Sequence, residues 1–276
     1  MTIMPAGLRS RDVFCCAAQR NRQPSGRWNI YVRGVKRWLR VSPFMGVCGR
    51  GHPPREVNSM AGEKSAAIGR VALIGNYPPR LCGIATFTFD VHQALAASFP
   101  DMAVDVYAME DPGSDHAYPE AVTCTIAQDD LADYRAAAHR INTSGADVVL
   151  VQHEYGIFGG EAGVHLLRLL ERVAAPVVVT LHTVLEAPNE GQRAVLDALA
   201  RRASKLIVMA EKGREILEQV NGVASEKIAV VPHGVPDRPF VPADENKARF
   251  DFTGRDVLLT FGLLSPNKGI ETMIRA

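Results

Sequence analysis

From Arg70 onward, short apolar runs rich in β-branched residues recur at regular intervals: VALIG (71–75), VDVYAM (104–109), DVVLVQ (147–152), PVVVTLH (176–182), KLIVMA (205–210) and KIAVV (227–231). Runs that are apolar at consecutive rather than alternate positions predict strands covered on both faces, as in a parallel sheet. Between them the apolar residues return at helical spacing. Residues 85–99 carry Phe89, His92, Leu95 and Ala96; residues 131–141 are rich in Ala and Arg; residues 161–173 carry Val164, Leu167 and Leu170. Residues 192–202 and 211–220 complete the set of predicted helices. Strand and helix in alternation imply right-handed crossovers and an α/β fold with a doubly wound parallel sheet.

The pattern fails at both ends of this body. Residues 1–67 hold both tryptophans and several Gly/Pro breaks, and no apolar period persists there beyond about two helical turns. They read as a basic, disordered extension, or as translated sequence ahead of a start at Met60. Trp28 to Val41 is basic and amphipathic enough for a weak peripheral contact with a membrane surface. Residues 68–236 form the wound domain, and a Pro/Gly-rich break at 232–237 opens a polar interdomain connection over 237–255. Then DVLLTF (256–261) predicts a fresh strand, 262–267 a loop and 268–276 a helix. One βα unit cannot bury its own faces, so residues 256–276 read as the start of a second domain that is truncated at Ala276.

Charge sharpens this division. The chain of 276 residues carries 31 Lys and Arg against 30 Asp and Glu. Residues 1–67 alone have 12 against 3, leaving an acidic body of 19 against 27. An acidic body gives no reason to expect nucleic-acid binding, which needs concentrated positive charge. No apolar run is long enough to cross a bilayer as a helix. Cysteine number and spacing (Cys15, Cys16, Cys48, Cys82, Cys124) match neither a disulfide framework nor a structural zinc site, which fits a reducing, cytoplasmic location.

In an open parallel sheet, ligands bind at the carboxyl ends of the strands, and four polar segments fall there. NYPPRLCGIAT (76–86) follows the first strand. Gly83 lets a ligand approach the backbone, and the helix start suits an anion such as a diphosphate; a plain Pro-Pro turn with a helix start accounts for the same residues. QHEYGIFGG (152–160) places His153 and Glu154 at a strand end, where they suit hydroxyl binding or proton transfer, or a capped turn with a satisfied histidine. His182 closes an apolar strand and either faces the cleft or packs under the next helix. Lys268 opens a helix after the last predicted strand, as a phosphate grip or an ordinary surface lysine. The chain has no GxxxxGK[ST], GxGxxG, GxSxG or HExxH, which removes support for P-loop, classical dehydrogenase, α/β-hydrolase and zincin readings.

Taken in order, YPPRLCGIATFT (77–88), VQHEYGIFGG (151–160), VVVTLHTVL (177–185), IAVVPHGV (228–235) and FGLLSPNKGIETMIRA (261–276) resemble the family 4 retaining glycosyltransferases of the GT-B fold. The resemblance runs from about Arg70 to the C-terminus. It implies two Rossmann-like domains, with this chain carrying the acceptor-side domain and the first unit of the donor-side one. It further implies transfer of a hexosyl-type sugar from a nucleotide-sugar donor to a carbohydrate or other hydroxyl acceptor, without metal or other cofactor.

By the same resemblance, Gly83 faces the donor diphosphate, in a loop where Cys82-Gly83 replaces a frequent glycine pair. His182 contacts the transferred sugar as the catalytic-centre residue, and Lys268 neutralises the diphosphate leaving group. His153 and Glu154 lie on the acceptor or sugar side. Leu263 stands where an arginine is common, and the paired glutamates of the second domain do not occur. The expectation is therefore a fragment of a longer enzyme, inactive as 276 residues. The competing readings are a non-catalytic carbohydrate- or partner-binding module and a nucleotide-sugar epimerase of the same fold.

Overall fold

The computed structural model describes residues 68–235, 239–260 and 269–276. The proposed extension over 1–67, its membrane-facing stretch, and Lys268 lie outside the described residues. The chain divides into two compact units between His233 and Gly234, inside the Pro/Gly-rich break.

In the first unit the elements alternate as the apolar runs require. They are β1 (Arg70–Gly75), α1 (Gly83–Ser98), β2 (Ala103–Glu110), β3 (Val122–Ala127), α2 (Leu131–Ser144), β4 (Val148–His153), α3 (His165–Leu170), β5 (Val177–Leu181), α4 (Glu190–Arg202), β6 (Lys205–Val208), α5 (Glu211–Gln219) and β7 (Ile228–Val230). All seven strands are parallel, in the order β3-β2-β1-β4-β5-β6-β7. The fold is a Rossmann-like doubly wound sheet. Successive side chains alternate between its faces: Ala72, Ile74, Val149, Val151 and Val179 join Tyr134, Leu166, Leu196 and Leu217 from α2 to α5 in the larger core. Leu73, Val106 and Ala108 face the other way, with Val91 of α1 packed against them. All five residues of β5 are buried, so the central strands have no polar face to show and their apolar runs are continuous.

The helices begin where short polar side chains stop the chain. Asp130 caps α2 through Ala132 N, and Asn189 closes a capping box with Gln192 on α4. Gly145, at φ 73°, ends α2 in the left-handed region that glycine adopts freely.

Three elements differ from the sequence expectations. β3 was not predicted: as an edge strand with one neighbour it alternates half-buried and exposed residues, so VTCTIA lacks a continuous apolar run. The helix expected over 161–173 is confined to α3. Gly160, Ala162 and Gly163 all have positive φ (75°, 51° and 79°) and turn the chain before it can become helical. In α1 the buried face is Ala85, Thr88 and Leu95, while Phe89 is exposed.

The second unit contains α6 (Ala243–Arg249) and α7 (Ile270–Arg275). The strand expected over 256–261 is not found in its described part: residues 256–260 form no ladder, and Leu258 is 81% exposed. A strand earns its hydrogen bonds from a neighbour, and a lone apolar run cannot supply one.

Candidate functional site

The strand order reverses between β1 and β4. From β1 the chain winds outward to β2 and β3, then returns to β4 on the other side, which makes the carboxyl edge between β1 and β4 the switch point at which open α/β sheets bind ligands. The expected site residues of the first unit stand on or beside this edge.

The loop after β1 is bound into itself. Asn76 is fully buried; its Oδ1 accepts from Arg80 Nη1 at 2.8 Å, and its Nδ2 donates to Cys82 Sγ at 3.3 Å. Arg80 also pairs with Asp111 at 2.6 Å, so its charge is met inside the fold. The Cys82 thiol caps α1 by accepting from Ala85 N at 3.3 Å. Gly83, the first residue of α1, is exposed, and no heavy atom lies within 4 Å of the point where a Cβ would stand. Packing does not require this glycine.

At the end of β4, His153 is fully buried. Its ring meets Tyr155 edge-on with centroids 5.0 Å apart and stacks at 6.0 Å from Phe158. Neither ring nitrogen has a partner among the described residues. Burial first, then the nearby His182, pushes its pKa down to about 3, so the imidazole is neutral. Glu154 Oε1 accepts from Tyr155 N at 3.0 Å, and Oε2 accepts from Thr183 Oγ1. This carboxylate thus caps a short turn and ties the end of β4 to the segment after β5.

His182 follows β5 directly. Its backbone N–H donates to His153 O at 3.0 Å, continuing the β4–β5 ladder, and its Nε2 lies 3.0 Å from Gln152 Oε1. Burial, reinforced by neighbouring His233, lowers its pKa to about 4. The ring of Phe87, one turn beyond Gly83 on α1, meets the rings of His182 and His233 edge-on, with centroids 4.7 Å and 5.1 Å away. The fold therefore brings His182, His153 and Glu154 together, and sets Gly83 one helical turn from the ring that touches His182.

Four contributors were missed in the sequence: Phe87, Gln152, Thr183 and His233. Phe87 was legible in part, because it stands four residues after Gly83 and shares its helix face. Gln152 was a lone polar residue closing an apolar run. Thr183 and His233 gave no signal of their own, since only the crossovers bring them to this edge.

Residues 82–238 match the family described as Glycosyltransferase Family 4. The chain belongs to that family. No curated protein matches it. Among solved structures this family 4 chain is similar to a glycosyltransferase from Rickettsia africae ESF-5, with 14% identity and a TM-score of 0.47 over 67% of this chain and 50% of that one. It is also similar to the apo form of the lipopolysaccharide outer core galactosyltransferase WaaB, with 12% identity and a TM-score of 0.45 over 60% of this chain and 46% of that one. The family 4 chain thus spans about half the length of these structures. Among its described residues no three His, Cys, Asp or Glu side chains are grouped to hold a metal. No described helix is long and apolar enough to cross a membrane.

Proposed function

We propose that this chain carries the acceptor-side domain of an enzyme that moves a hexosyl-type sugar from a nucleotide-sugar to a hydroxyl acceptor with retention of anomeric configuration. The observation that carries this reading is the neutral, half-buried His182 imidazole at the carboxyl edge, seated against Phe87 of the helix that Gly83 opens. A neutral imidazole binds a sugar hydroxyl without attracting the charged leaving group. The positive end of α1 favours a diphosphate oxygen, and open space at Gly83 lets that oxygen come close. Electrostatic stabilisation of the departing nucleoside diphosphate is the main demand of such a transfer. Lys268 is assigned to that charge through its motif alone.

In this reading Glu154 serves the acceptor side indirectly, by holding Thr183 and the strand ends in place. His153 contributes through its backbone carbonyl, which accepts from His182 N, while its own neutral ring stays buried. The enzyme would act in the cytoplasm and would use no metal or other cofactor.

The test is release of nucleoside diphosphate from UDP-, GDP- and ADP-sugars by the native gene product, with and without sugar acceptors. NMR of the product then reads its anomeric configuration. Release with retention is the expected result. No release from any of these donors would overturn the reading, and an epimerised nucleotide-sugar would replace it with the epimerase alternative.

A further inference from the structure

The His182 ring is held from several directions, and one of its partners decides which nitrogen carries the proton. Gln152 is 2% exposed and sits on β4 opposite Thr180 of β5. Its stem lies over Gly75 at the end of β1: a Cβ added to Gly75 would come within 3.0 Å of Gln152 Cβ and 3.3 Å of its Cγ. The same Cβ would come within 3.0 Å of Thr88 Oγ1, itself tied to Ile84 O at 2.8 Å. The missing side chain at Gly75 therefore makes the space in which Gln152 runs toward β5. There its amide oxygen meets His182 Nε2 at 3.0 Å. An amide oxygen only accepts, so Nε2 must be the nitrogen that donates. The backbone bond from His182 N to His153 O and the edge contact with Phe87 hold the ring in that pose.

A neutral imidazole has one N–H, and with it committed to Gln152 the other nitrogen is a lone-pair acceptor. No hydrogen bond from the described residues ends on Nδ1, and it is not among their buried unpaired atoms, so it is the ring nitrogen left for a ligand. We propose that Gln152 is a positioning residue that fixes His182 as the Nε2–H tautomer, presenting Nδ1 to the ligand as an acceptor for a sugar hydroxyl. A bare nitrogen takes a hydroxyl proton and gives nothing to a phosphate or carboxylate oxygen. Gln152 thereby makes this point of the edge selective for neutral, hydroxyl-bearing groups. The identity of the ligand rests on the glycosyltransferase reading, whereas the tautomer does not.

The experiment is a long-range 1H–15N correlation spectrum of the chain labelled with 15N-histidine at pH 7, with His182 assigned by its loss in His182→Gln. The expected pattern has a protonated Nε2 and a bare Nδ1. A protonated Nδ1, alone or with Nε2, would overturn the proposal. Gln152→Leu should move His182 toward the Nδ1–H tautomer, and Gly75→Ala, which crowds the same side chain from β1, should do so in part. An unchanged tautomer in Gln152→Leu would also overturn it. In the transfer assay Gln152→Leu should raise KM about tenfold, the scale of one hydrogen bond, with a smaller change in kcat. The expected tautomer in a protein without sugar transfer would sustain the assignment and overturn the glycosyltransferase reading, because the spectrum needs no turnover.

Discussion

The loop after β1 and the paired ends of β4 and β5 both bring polar side chains to the carboxyl edge, but they treat them differently. In the loop, Asn76, Arg80 and Cys82 bond to one another, Arg80 also pairs with Asp111 beyond β2, and the backbone at Gly83 stands open. At the strand ends, among the described residues, His182 has one nitrogen engaged and the other without a bond, and neither nitrogen of buried His153 is paired. A closed polar network holds a shape. An incompletely paired one at a sheet's ligand-binding edge has chemistry to offer. The glycines divide the other way round: Gly159 and Gly160, beyond β4, are walled in, while Gly83, after β1, faces open space.

The sharpest way to break this contrast is to fill the walled-in backbone and, separately, to empty the open site. At Gly159 a Cβ would fall 2.0 Å from Gln128 O and 2.5 Å from His165 Nδ1. Gly159→Ala should therefore cost about 3 kcal/mol or prevent folding, as read by urea unfolding. His182→Ala tests the open side, where loss of a group facing the reacting sugar should lower transfer about 100-fold, while the lost bond to Gln152 costs about 1 to 2 kcal/mol of stability, less than Gly159→Ala.

Acid should separate the strand ends from the loop. His153 and His182 have folded pKa values lowered from 6.5 to about 3 and about 4, so the unfolded chain binds protons that the folded one does not. Their contribution is complete above pH 6.5 and declines as pH falls toward those folded values. For each ring the slope approaches about 1.4 kcal/mol per pH unit. His153→Leu should remove up to about 2 kcal/mol of the stability difference between pH 7 and pH 5, measured by urea unfolding at the two pH values. An unaltered difference would contradict the buried neutral state.

Smaller effects sharpen the picture further. Gly83→Ala should leave stability within about 0.5 kcal/mol of the parent yet weaken nucleotide-sugar binding about tenfold by blocking approach to α1, as read by calorimetry. Thr183→Val removes the hydroxyl that bonds to Glu154 and should cost about 1 kcal/mol, again by urea unfolding.

Much of the wound sheet could be read in advance because central parallel strands are buried on both faces, and each of their runs is apolar throughout. β3 escaped because an edge strand need not be. Gly83, His153, Glu154 and His182 could be picked out by position, since polar residues at the carboxyl ends of apolar runs stand at the ligand-binding edge of such a fold. Their differing states could not. Nothing in QHEYG says that His153 is enclosed by Tyr155 and Phe158, or that Glu154 is engaged with Thr183.

By itself, then, the chain's order of apolar runs and breaks determined the architecture, because burial on two faces is written locally in each segment, and its ordered motifs pointed to the family. Tertiary structure alone decided which polar groups at the edge are spent and which are open. Gln152 meets His182, and Phe87 meets His233, only after crossovers fold distant segments side by side, and those meetings set burial, tautomer and charge.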